Sequence, residues 1–159
     1  MSIWSDMEDR GNGSILKAED ICYKEFVYLP YRIDGEIIAH NVYKDMEYFV
    51  VSLGTHPCAY VKCPKKFLDE HTDDWDNLPE IWVHGGVTWN GEMSGLKVFK
   101  DKDGEYCFGW DYAHAGDYLG SDSYEPWDNR KWTTEMIVNE CKSAIDQYWK
   151  LQPLTDEGC

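Results

Sequence analysis

Three histidines stand beside glycines near the ends of apolar runs. His56 lies in Gly54-Thr55-His56-Pro57 and His84 in Trp82-Val83-His84-Gly85-Gly86-Val87-Thr88. His114 lies in Phe108-Gly109-Trp110-Asp111-Tyr112-Ala113-His114-Ala115-Gly116-Asp117. Imidazole gains and loses a proton near neutral pH, so it serves as general acid, general base or metal ligand. Asp111 and Asp117 flank His114 at equal spacing, on one side of a helical turn or converging in a folded loop. Two chemistries follow. Asp111, His114 and Asp117 are candidate ligands of a divalent metal. Without a metal, His84, His114, Asp111 and His56 form a candidate acid–base set in which a carboxylate fixes the imidazole tautomer.

Other residues supply candidate ligand contacts. Gly85 and Gly86 would let a group approach the backbone closely. Trp82, Trp89, Trp110 and Tyr112 offer flat faces, Thr88 a hydroxyl and Arg130 a cation. Each has an ordinary alternative: a lone half-buried histidine, turn aspartates bonded to local amides, aromatics filling a core. His40 and His71 fall in polar stretches and are expected at the surface. Cys58 and Cys63 lack the second pair that a structural zinc site needs. The Asp101-x-Asp103 pair lacks the later acidic ligand of a calcium loop. No phosphate loop, nucleophile elbow or zinc-protease helix is present.

These groups need a scaffold to aim them. Residues 48–53 are rich in β-branched and aromatic side chains and read as a strand, with 59–61 pairing back. Residues 26–29, 81–84, 96–99 and 105–110 also read as strands, the last two joined through the turn at 100–104. Asp34-Gly35 reads as the tight turn of a hairpin over 32–38. In a strand over 81–84, Trp82 and His84 would share one face. The acidic stretch 64–80 reads as a solvated connection with a helical turn at 65–70.

Residues 113–130 read as a long loop, a length that in compact domains is uncommon and often functional. Thr133 is the expected N-cap of a helix over 133–151, whose stripe is Ile137, Cys141, Ala144, Ile145, Tyr148 and Leu151. The expected architecture is α+β, an antiparallel sheet with the long C-terminal helix packed on one face. It is one domain over 1–159: an arm at 1–20, mainly strands over 21–112, the loop, the helix and a tail at 152–159.

Composition narrows the partners. The formal charge of −15, from 30 acids against 15 bases, argues against direct binding to a nucleic-acid backbone and against docking on an anionic membrane. Aromatics at 15% exclude a disordered chain. No apolar run is long enough to span a membrane, and the opening residues lack the plan of a signal peptide. A cytoplasmic location, with the six cysteines reduced, is the expectation. The sequence leaves the oligomeric state and any cofactor open.

The words His-Gly-Gly-x-Thr (His84, Gly85, Gly86, Thr88) and Phe-Gly-x-Asp-x-Ala-His-x-Gly-Asp (Phe108, Gly109, Asp111, Ala113, His114, Gly116, Asp117) resemble a group of small proteins carried by phages and prophages. His56-Pro57 fits the same pattern, and the resemblance covers residues 54–150. Trp110 stands where the group has Phe and Tyr112 where it has Cys, so no cysteine nucleophile is available there. The resemblance implies an accessory protein that counters host defence in the host cytoplasm. Three mechanisms would serve. The first is hydrolysis of a nucleotide immune signal by the His/Asp set, possible with or without a divalent metal. The second is sequestration of a cyclic nucleotide or ADP-ribose-type signal without chemistry. The third is acidic mimicry of DNA that occupies a host defence protein. The net charge opposes an anionic substrate, whereas Lys97, Lys100, Lys102, Arg130 and Lys131 gather near the motifs and locally offset it.

Overall fold

The computed structural model describes residues 22–73, 77–119 and 130–153. The expected arm at 1–20, Asp74 and Asp76, Gly120 with most of the loop, and residues 154–159 of the tail lie outside the described residues. Among the described residues six strands form one antiparallel sheet: β1 (Cys22–Tyr23), β2 (Glu36–Tyr43), β3 (Met46–Ser52), β4 (Pro57–Cys63), β5 (Trp89–Glu92) and β6 (Tyr106–Asp111). Their order across the sheet is β1-β2-β3-β4-β6-β5. Among the described residues two α-helices accompany it, α1 (Lys65–His71) and α2 (Thr134–Leu151). The α+β expectation holds, with α2 against the sheet.

Each sheet face has its own core. Alternation sends Met46, Tyr48, Val50, Ala59, Val61 and Phe108 to the face covered by α2, where Ile137, Cys141, Ala144 and Ile145 are buried. Phe49, Val51, Tyr60 and Cys107 point the other way, onto Met93 and Phe99. The helix begins where its cap was expected, with the Thr133 hydroxyl accepting from Met136 N at 3.2 Å. Its stripe is buried from Ile137 to Tyr148, and Leu151 is half-buried.

Several expected strands are absent, because side chains or local turns satisfy their backbones. Residues 81–84 pair with no strand: the Gln147 amide accepts from Trp82 N at 2.7 Å and donates to Trp82 O at 2.9 Å. Residues 26–29 are irregular, and Thr134 Oγ1 accepts from Phe26 N and donates to Lys24 O, each at 2.7 Å. Residues 96–99 close local turns, Leu96 N to Met93 O and Phe99 N to Leu96 O, so β6 pairs with β5 instead. The hairpin turn lies at Lys44-Asp45, both at positive φ, and not at Asp34-Gly35. The turn at 65–70 extends to a full short helix, α1. Cys58, Cys63, Cys107 and Cys141 are buried free thiols. Among the described residues no helix is long and apolar enough to cross a membrane.

Candidate functional site

Asp117 is the hub of the two motifs. It is buried, beyond the end of β6, in a turn that Asp117 N closes on His114 O at 2.9 Å. One carboxylate oxygen, Oδ2, takes His84 Nε2 at 2.8 Å and His114 N at 2.9 Å. The other, Oδ1, takes Trp132 Nε1 at 2.8 Å. Burial alone would raise its pKa; the donors from His114, His84 and Trp132 outweigh that and hold the carboxyl below its usual range. Backbone pairing fixes the turn, with Arg130 N donating to Gly116 O and Tyr118 N to Arg130 O.

An ionised carboxylate only accepts, so His84 Nε2 donates, and in the neutral tautomer that this selects the lone pair lies on Nδ1. Among the described residues nothing hydrogen-bonds Nδ1, and the side chain is 25% exposed. The ring lies parallel to Tyr112 at 5.1 Å, with Trp132 at 4.7 Å and the His114 ring edge at 5.3 Å. From α2, Glu140 holds this stack: one oxygen accepts His84 N at 2.9 Å, the other the Tyr112 hydroxyl, which itself accepts Trp110 Nε1. Burial, then the Glu140 charge, push the Tyr112 phenol far up, so it stays protonated. Glu140 and Trp132 were missed in the sequence. Glu140 sits at a partly buried position next to the helix stripe, a placement that by itself signals only a solvated acid.

His114 is placed by a glycine. A Cβ on Gly85 would fall 2.1 Å from His114 Nε2, so only glycine leaves room for the ring. That nitrogen is buried and lies 3.3 Å from Asp111 Oδ1 without the alignment of a hydrogen bond. Asp111 also accepts Ala113 N at 3.1 Å, the ordinary work of a turn aspartate. His56 is buried between β3 and β4; burial lowers its pKa, while the charges of Asp111 and Asp117 act the other way. The histidines and carboxylates thus share one neighbourhood.

Other expectations need correction. The metal reading of Asp111, His114 and Asp117 fails on geometry. The Asp117 oxygens are taken by three protein donors, and no three His, Cys, Asp or Glu among the described residues are placed to share a metal. Trp110 is 1% exposed and Tyr112 fully buried, so neither can stack a ligand. Trp89 is half-buried against the other sheet core, with its ring edge-on to Tyr60. Trp82 does face solvent, at 79% exposure. With Gly85, Gly86 and Thr88 it lines a groove of about 480 Å³. Arg130 lies over the Trp132 ring at 4.9 Å and Lys131 over Tyr118 at 4.6 Å, and both cations are exposed. Comparison with protein-family models, curated proteins and solved structures finds no match to this chain.

Proposed function

We propose that this chain is a phage-type accessory protein that hydrolyses a phosphodiester in a host nucleotide signal, with His84 as general base. The observation that carries the reading is the Asp117 carboxylate, fixed by Trp132 and His114 N and accepting His84 Nε2. This arrangement sets the tautomer that leaves Nδ1 basic and stabilises the imidazolium that forms when Nδ1 takes a proton from water. The water oxygen bonds to phosphorus, the bond to the leaving oxygen breaks, and the imidazolium returns the proton to that oxygen. Arg130, over the Trp132 ring that bonds Asp117, and Lys131, over Tyr118, would supply cations to offset charge developing on the phosphoryl oxygens. Trp82, bordering the groove that reaches Gly85, supplies a stacking face for a base.

A second reading is sequestration of the same class of ligand. The exposed Trp82 favours it, since stacking in the groove needs no chemistry. The two separate on mass balance. The purified protein is incubated with cyclic dinucleotides and ADP-ribose-type signals, and the supernatant is chromatographed before and after heat release. Loss of a cyclic nucleotide with appearance of a linear product supports hydrolysis. Recovery of intact ligand after heating replaces hydrolysis with sequestration.

A further inference from the structure

A larger groove lies at the other end of the sheet, where the β2–β3 turn, the end of β4 and the last turns of α2 meet. It encloses about 640 Å³, within the size range of small-molecule sites. Val42, Met46 and Cys63 supply apolar lining, and His40, from the sheet face opposite α2, and Trp149, from α2, add aromatic rings. Both rings are set in advance. Trp149 is 42% exposed, yet its Nε1 donates to Lys44 O at 3.0 Å, which fixes the indole plane. His40, expected at the surface, is half-buried, stacked on Phe49 at 4.3 Å and tied through Nε2 to Glu47 at 2.6 Å. An exposed tryptophan held in one orientation offers a ligand a flat face at little further entropic cost.

The charge of the groove selects the ligand. Lys62 is neutralised by Glu105 at 2.9 Å and Glu47 at 3.4 Å. Glu47 is held ionised, its pKa lowered to about 2 chiefly by the hydrogen bond from His40. Asp45, at the rim, makes no ion pair or hydrogen bond among the described residues. The lining thus carries two carboxylates, Asp45 and Glu47, against one ammonium, Lys62, next to an indole face, and both features attract a cation.

We infer that this groove binds a small organic cation with a flat apolar body, the ring lying against Trp149 and the ammonium group facing Asp45. The site shares no residue with the His84–Asp117 dyad and stands independently of its chemistry. The test is a titration of the full chain by ¹H–¹⁵N NMR with tryptamine and, as the charge-reversed probe, indole-3-propionate. Tryptamine should shift amides at 45–47, 62–64 and 148–150, and indole-3-propionate should not. Trp149→Ala should weaken tryptamine binding roughly tenfold. The exposed Asp45→Asn, which leaves the core untouched, should weaken it roughly threefold to tenfold. Equal binding of the two indoles, no shifts at these positions, or an unchanged affinity in Asp45→Asn overturns the inference.

Discussion

Gly85→Ala and Gly86→Ala form a pair of neighbouring perturbations that isolates one contact. Both glycines have left-handed backbones, at φ +71° and +85°. A residue with a Cβ pays roughly 1–2 kcal/mol for that conformation at either position. At Gly86 nothing lies within 4 Å of the added carbon, so backbone strain is the whole effect. At Gly85 the carbon would meet His114 at 2.1 Å from Nε2, 2.4 Å from Cδ2 and 2.7 Å from Cε1. The ring must move, and forced repacking of this kind costs about 1–3 kcal/mol more. Urea melts should therefore give losses of ~1–2 kcal/mol for Gly86→Ala and ~2–5 kcal/mol for Gly85→Ala. A difference below ~0.5 kcal/mol would refute the claim that Gly85 exists to seat His114 beside Asp111.

Three further outcomes are expected. Ile145, fully buried between α2 and the sheet, should cost about 2–5 kcal/mol as Ile145→Ala, and a denaturant melt giving under ~1 kcal/mol would make the helix peripheral. Glu47 has a folded pKa of about 2, below its unfolded value, so its contribution is full above pH ~4.5 and is lost as pH falls toward 2. Because the two side chains keep 22% and 28% exposure, acid melts of wild type against Glu47→Gln should converge over that window by only ~1 kcal/mol, and parallel curves would contradict the pairing. Asp117 has the same sign, its stability present at neutral pH and lost as acid protonates it. Asp117→Asn should consequently flatten the acid limb and shift the His84 imidazole resonances in NMR, and unchanged resonances would dissolve the dyad.

The helix and three central strands were legible because their patterns carry the packing themselves. In α2, the spacing from Ile137 to Tyr148 coincides with the buried face, and Thr133 caps it. What misled was extended chain whose partners are side chains. Residues 81–84 look like a strand, but Gln147 and Glu140 reach from the helix to take the backbone of Trp82 and His84. Such pairing joins residues far apart in sequence and leaves no periodic trace. The Lys44-Asp45 hairpin was hidden because it lacks the usual Asn-Gly signature of its turn. At the site, the motifs identified His84, His114, Asp111 and Asp117 as neighbours. Whether a nearby aromatic faces a ligand or the core depends on strand register, and Trp110 and Tyr112 proved to be core. Trp132 lies 15 residues beyond Asp117 in the chain, and no local spacing ties its ring to that carboxylate.

The proposed role of His84 as a base can be tested at the residue itself. On the cyclic dinucleotides that the proposed function would have the wild type hydrolyse, turnover and dissociation constant are measured side by side for wild type and His84→Ala. Removal of a general base should lower kcat by ~10²–10⁴-fold, while the groove proposed to hold the nucleotide should keep its affinity within about threefold. Turnover by His84→Ala at the wild-type rate would contradict the assignment.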